Sequence, residues 1–266
     1  MKKLKKYKHL YGLLTSQFLK KIIQSKVDFV IGLLGFICTQ CAGLISIYLI
    51  MQQIPDLRGW SLPQLLFIYG FAQIPRGIDH LFTDNIWLIS YHMIINGEFD
   101  RYMLRPMNIL FQVIAETLQP DAIGELLVGT VLIIMSLNSG IVIVDGVHIV
   151  LFFVSVLAGA LIYTAVKLFF ASLSFWIKMS GPFLQAAYEL ADFAKYPTEI
   201  YNRPVRFIIT WIIPFAFVAY LPARYFLRWE ISWTVIPAEC LIALIGIVIS
   251  YTVFAIGTKR YESAGN

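Results

Sequence analysis

Apolar residues gather along this chain into six stretches, at 27–51, 62–82, 111–137, 147–176, 207–221 and 235–256, separated by short polar segments. A helix needs about 20 predominantly apolar residues to cross about 30 Å of hydrocarbon, so the pattern predicts an all-α, polytopic membrane protein with six transmembrane helices. The fifth stretch is the shortest. At about 1.5 Å per residue it falls short of a full crossing, so it is expected to start deeper or to continue as a partly inserted segment beyond Pro222.

Two further segments have helical periodicity without the length of apolar sequence a span needs. Leu10, Leu13, Leu14, Phe18 and Ile22 recur among lysines. They predict an N-terminal amphipathic helix over 7–24 that lies on the membrane surface and favours anionic lipid. Phe183, Ala187, Leu190, Ala191 and Ala194 form an apolar stripe, while Gln185, Glu189, Asp192 and Lys195 fall elsewhere around the helix. That helix ends before Pro197, because the residue preceding proline is pushed out of helical geometry. It reads as a surface helix joining spans four and five, or as a gating element.

Composition removes the soluble alternative. Of 266 residues 59% are hydrophobic and only 14% charged, and the chain reads as one membrane domain over 1–266. Charge then sets the orientation. Residues 1–26 hold eight lysines and no acidic residue, a charge of +8 against −3 for the remainder. The positive-inside rule places that segment in the cytoplasm, and six crossings return the tail at 257–266, with Lys259 and Arg260, to the same side. Loops assigned inside hold Arg101 and Arg105, then Lys178, Lys195, Arg203 and Arg206; those outside hold Asp56, Arg58 and Asp145. The last outer loop, with Arg224, Arg228 and Glu230, fits the rule less well. A cleaved signal peptide is the competing reading of the basic start, but the first apolar run is too long for one and no small-x-small cleavage pattern follows.

Enzyme chemistry finds little support. The chain has no Gly-Lys dipeptide and no Gly-x-Gly-x-x-Gly, so it cannot cradle ATP phosphates by either route. Cys38-x-x-Cys41 has redox or zinc spacing but lies in an apolar span without a histidine beside it, which favours packing. His9, His80, His92 and His148 are scattered without metal-ligand spacing. No metal or bound cofactor is expected in this chain, and no nucleic-acid partner.

Ionisable residues in the spans carry more weight, since charge in hydrocarbon is costly and usually faces a bundle interior or an aqueous path. Arg76 precedes Asp79 by three residues and His80 by four, so the three share one helical face. They form a transport or gating cluster, or Arg76 simply snorkels to the headgroups. Glu116, Asp121 and Glu125 surround Pro120, which removes a backbone donor. They belong to a proton path or subunit contact, or else the third span begins near Ile123 and leaves Glu116 and Asp121 in an interfacial helix. Lys167 and Glu239 read as snorkelling anchors near span ends. Ser155-x3-Gly159 and Gly246-x3-Ser250 allow close helix packing.

One compact polar segment remains, 96–108. Gly97 breaks the preceding helix, Glu98 and Asp100 put negative charge in the first turn of a short one, Arg101 and Arg105 lie four apart, and Pro106 stops it. With Phe99, Tyr102, Met103 and Leu104 between the charges, it predicts a short cytoplasmic helix with one sticky side.

The run Gly97-Glu98-Phe99-Asp100-Arg101-Tyr102-Met103-Leu104-Arg105-Pro106 resembles the Gly-x-Leu-Asp-x-x-Leu-x-x-Pro signature of six-span permeases in the type-2 family of ATP-binding-cassette (ABC) exporters, with Phe99 where leucine is usual. Tyr196-Pro197-x-x-Ile200-Tyr201, then Ile213-Pro214-Phe215-Ala216-Phe217-Val218 and Tyr220-x-Pro222-Ala223, is similar to that family around span five, and Lys259-Arg260-Tyr261-Glu262-Ser263-Ala264 to its tail. The resemblance implies a non-catalytic permease subunit, paired with a second permease, identical or related, and driven by separate cytoplasmic ABC ATPase subunits that hold ATP and Mg. It also implies that the coupling helix between spans two and three is the segment 97–106. With no room for a large extracellular domain, the expected cargo is a small amphipathic compound, drug or peptide moved outward across a cell membrane, in a bacterium. A proton-coupled secondary transporter working through Asp79, His80, Asp121 and Glu125 is one competitor, weakened by the lack of an inverted repeat. A non-transport membrane anchor or assembly protein is the other.

Overall fold

The computed structural model describes residues 12, 26–53, 59–142, 144–227 and 233–263, and among them every regular element is helical. The amphipathic helix expected over 7–24 lies outside the described residues except for Gly12. In chain order the α-helices are α1 (Lys26–Gln53), α2 (Leu62–Thr83), α3 (Asp100–Met103), α4 (Ile109–Glu116), α5 (Ile123–Leu137), α6 (Gly146–Ser172), α7 (Ser174–Ile177), α8 (Gly181–Ala191), α9 (Arg203–Phe207), α10 (Tyr220–Phe226) and α11 (Val235–Arg260).

Among the described residues four stretches are each long and apolar enough to cross a membrane: Val30–Gln53, Pro120–Leu137, Gly146–Ile177 and Val235–Arg260. They match the first, third, fourth and sixth apolar stretches. The second stretch became α2, whose 22 residues are long enough to cross but carry Gln73, Arg76, Asp79 and His80. A membrane segment holds such residues only by turning them toward protein, and Gln73 and Asp79 are indeed buried. Serine and proline start α2 cleanly: the Ser61 N–H donates to Gln64 Oε1 at 2.9 Å, and Pro63 sits in the first turn where its missing N–H costs nothing.

The third stretch is not one helix. α4 ends at Glu116, and only after an extended stretch and a 3-10 turn at Pro120–Ala122 does α5 begin at Ile123. The long helix therefore begins at Ile123, with Asp121 in the turn ahead of it and Glu116 on a separate helix. α5 then packs on α2 through Gly70 and Gly129. A Cβ on Gly129 would lie 2.9 Å from the Gly70 carbonyl oxygen, so only glycine permits this approach.

The fifth stretch is not one straight helix either. Residues 203–226 form two helical pieces, Arg203–Ile212 and Phe215–Phe226, bent by 74° at Pro214. The second piece climbs α6: Phe215 packs on Tyr163, Val218 reaches Gly159, and Tyr225 stacks on His148 at 5.3 Å. The first piece begins near the level of Tyr220 and Arg224, because Glu199, just upstream, accepts hydrogen bonds from both. The two pieces together make a broken span or a re-entrant loop.

What runs the length of α2 instead is the amphipathic segment 181–200. Gly181 lies against the Tyr91 ring, Tyr188 against Trp87 and Asp79, Asp192 against Arg76, and Lys195 over the Tyr69 ring at 5.5 Å. Glu199 then meets Tyr220, whose ring abuts Trp60 just ahead of α2. Residue by residue, 181–199 is antiparallel to 91–60. The buried face is Leu184, Ala187, Tyr188, Ala191 and Ala194, one position round from the expected stripe, while Phe183 faces outward.

α6 and α11 form the most extensive helix pair, with Gly246 set against Ala165. The small residues at 155, 159 and 246 thus serve packing within the chain. Cys38 and Cys41 are free and exposed on α1.

Candidate functional site

The polar segment 96–108 is built on an apolar anchor. Gly97 has φ +70°, the left-handed conformation that turns the chain out of the helical run after α2, and the Phe99 N–H then donates to the Met93 carbonyl at 3.1 Å. Phe99 and Tyr102 are fully buried. Phe99 meets Phe175, Phe254 and Tyr261 at ring centroid distances of 5.2, 6.4 and 5.1 Å, so one residue of the loop touches both α11 and the chain after α6.

Polar contacts fix the rest. Tyr102 donates its hydroxyl to Glu116 of α4, Arg101 reaches the same carboxylate at 3.0 Å, and the Gln112 side chain donates to the Tyr102 carbonyl at 3.0 Å. Burial and the neighbouring Glu116 both push the Tyr102 phenol up. Burial works against the Arg101 charge, but Tyr102 and Glu116 outweigh it and hold the guanidinium above its ordinary value. Asp100 accepts from the Ser263 hydroxyl at 2.5 Å, and Asn108 caps α4 while donating to Tyr251 of α11 at 3.0 Å.

The expected single sticky side is therefore divided. Phe99 and Tyr102 face the bundle, and Asp100 and Arg101 are engaged with the chain's own residues. Glu98 contacts His92 at 3.2 Å. Exposed at the tip are Met103, Leu104, Arg105 and Pro106, with Leu104 86% exposed. Glu116, expected with the span carboxylates, belongs to this loop.

A second polar group lies inside the bundle. Asp79 receives four contacts: Lys167 Nζ at 2.8 Å, the Tyr188 hydroxyl at 2.8 Å, the Thr164 hydroxyl at 2.8 Å and the Thr83 hydroxyl at 2.6 Å. Arg76 contacts Asp192 at 2.7 Å and Glu125 at 3.5 Å, and Lys195 contacts Asp192 at 2.7 Å. His80 lies between Glu125 at 3.6 Å and Asp84 at 3.8 Å. Arg76 is thus paired inward, not snorkelling. Lys167, read as an anchor, is wholly buried. Lys167 can stay buried because it meets Asp79, an opposite charge, at close range.

The network borders a cavity of about 320 Å³ whose lining includes Phe36, His80, Asp84, Trp87, Tyr91 and Glu125. Arg76, Asp79, His80 and Glu125, four of the predicted span charges, converge there. Asp121 does not line it; it sits in the 3-10 turn beside Gly32 of α1. Asp84, Lys167, Tyr188, Asp192 and Lys195 join the group through contacts distant in sequence. The helical spacing of Asp192 and Lys195 gave one hint of them.

Glu239, also read as an anchor, is fully buried between α6 and α11. It accepts from the Ser155 hydroxyl at 2.5 Å, while its Oε1 has no hydrogen-bond partner. Among the described residues no three His, Cys, Asp or Glu side chains converge as metal ligands.

A family model described as ABC-2 family transporter protein matches residues 37–265, which takes in both the loop and the buried network. No curated relative matches the chain.

Proposed function

The chain belongs to the ABC-2 transporter family, and from that premise we propose that it is the permease subunit of an ATP-driven exporter for a small amphipathic compound, drug or peptide. It acts as a non-catalytic membrane domain over 1–266, beside a second permease, identical or related. Separate cytoplasmic ABC ATPase subunits supply ATP and Mg chemistry. The membrane is the bacterial cell membrane, with both termini cytoplasmic. Crossings are α1, α2, α5, α6, 181–200 and α11, with 203–226 re-entrant.

One observation supports the coupling role most. The loop 96–108 has a rigid buried base and an exposed tip at 103–106, so a push on the tip is delivered through Phe99 to Phe175 and α11 and through Glu116 to α4. Gly97, Phe99, Asp100 and Arg101 shape the element, and Leu104, Arg105 and Pro106 contact the ATPase. The buried network around Arg76, Asp79, His80 and Glu125 supports a path or gate at the same end of the bundle.

Co-purification of the chain from its native membrane tests this reading. A stoichiometric ABC ATPase is expected with it, and ATP hydrolysis should drive transport after reconstitution. Solute movement driven by a pH gradient with no ATPase present would instead favour the proton-coupled reading, for which the buried carboxylates are the supporting observation.

A further inference from the structure

The cavity beside α2 is short of positive charge. Three carboxylates, Asp79, Asp84 and Glu125, line it against two fixed cations, Arg76 and Lys167, while the Asp192–Lys195 pair lies just outside. His80 balances the group only when protonated. The cations are moreover committed: the short contacts, at 2.7 to 2.8 Å, are Lys167 to Asp79 and both Arg76 and Lys195 to Asp192.

Asp84 and Glu125 are left with long contacts only, 3.5 Å from Lys167 and Arg76 respectively and 3.6 to 3.8 Å from His80, with the Gln119 amide donating to Asp84 at 3.4 Å. Glu125 is 1% exposed, and its Oε2 accepts no hydrogen bond. A buried carboxylate in that condition is costly and favours an additional cation.

The wall around these two carboxylates is aromatic. Trp87 and Tyr91 are stacked with centroids 6.1 Å apart, and Tyr188 meets Trp87 edge-on at 5.0 Å. Aromatic faces beside a carboxylate are the chemistry that holds organic cations, through the ring quadrupole. A volume of about 320 Å³ is at the small end of ligand pockets and fits a head group with a short apolar body. An anion would face the surplus carboxylates, and an uncharged lipophile would leave Glu125 uncompensated.

We propose that this cavity is the binding subsite for the ammonium head of a small amphipathic organic cation, with Glu125 and Asp84 as counter-charges and Trp87, Tyr91 and Tyr188 as its aromatic wall. The proposal rests on the permease reading and names the substrate class for it.

The test is equilibrium binding of radiolabelled benzyltrimethylammonium to the purified full chain in zwitterionic lipid nanodiscs, with no ATPase present. Saturable binding is expected, and neither neopentylbenzene, its uncharged isostere, nor benzoate should displace it. Glu125→Gln and Asp84→Asn should each weaken it by at least about tenfold. Trp87→Leu should weaken it by roughly 2- to 30-fold. Should Glu125→Gln fail to fold, the other two variants carry the result. No saturable binding, equal displacement by neopentylbenzene, or unchanged affinity in the folded variants overturns the subsite. Lost binding with ATP-driven transport of some other solute intact removes this site alone; saturable binding by a chain that recruits no ATPase removes the permease reading alone.

Discussion

Lys167 of α6 places its Nζ 2.8 Å from Asp79 Oδ2 of α2, with both side chains shut away from solvent. A lysine near the end of a span ordinarily bends its head out to the membrane surface. Here three hydroxyls, from Thr83, Thr164 and Tyr188, complete the coordination of Asp79 and make the inward position the better one. The pair ties α2 to α6 and, through Tyr188, to α8.

That geometry predicts an asymmetry between single and double variants. Removing one partner strands a buried charge, at a cost of about 3–5 kcal/mol, whereas removing both leaves unmade only the longer 3.5 Å contact of Lys167 with Asp84. Lys167→Met alone should therefore lower the unfolding temperature in detergent sharply. Lys167→Met combined with Asp79→Asn should recover most of the loss. Additive losses in the double variant would show that the two residues act independently.

The antiparallel track of 181–199 along α2 predicts opposite exposure of its two ends. In a chain with Cys38, Cys41 and Cys240 replaced by alanine, Met179→Cys and Arg203→Cys should react with a membrane-impermeant maleimide from opposite faces of sealed vesicles. Were 207–221 the crossing, both would be labelled from one face.

The packing of 181–199 against α2 marks how far the sequence could be read. α1, α6 and α11 were legible because their apolar runs exceed the length of a crossing on their own, and lipid asks nothing else of a helix. The segment 181–200 was not, since Tyr188, Asp192 and Lys195 are satisfied by Asp79, Arg76 and Tyr69, partners about 110 to 130 residues away that no local pattern reveals. Conversely, Phe207, Trp211 and Ile212 are apolar and outward-facing, which reads as a continuous span in a segment that the structure bends by 74° around Pro214. For the site, residue spacing correctly grouped Arg76, Asp79 and His80 on one face. It could not show that Glu116 leaves the span carboxylates and braces the loop, because that depends on the chain breaking before Pro120.

The brace itself can be tested at Tyr102. Its hydroxyl donates to Glu116, a charged acceptor, so Tyr102→Phe should cost about 1.5–3 kcal/mol while keeping the ring in place. The variant should still insert and still bind its ATPase. Transport per ATP hydrolysed in the reconstituted complex should fall, because the tip then moves without carrying α4. Glu116→Gln should behave alike. Unchanged coupling in both would mean that Phe99 alone transmits the movement.

Leu104 and Phe99 separate docking from folding. Leu104 is 86% exposed, so Leu104→Asp should change stability within the range of ordinary surface changes, about ±0.5 kcal/mol. The same change puts a charge where an apolar side chain is offered to a partner, and ATPase co-purification should drop severalfold. Phe99→Ala acts the other way. It empties a fully buried aromatic site between Phe175, Phe254 and Tyr261, at a cost of about 3–5 kcal/mol, and should reduce recovery of folded protein before any partner is added. Normal ATPase recovery by Leu104→Asp, with Arg105→Glu equally silent, would move the docking surface away from 103–106, since these are the loop positions the fold leaves free to touch another protein.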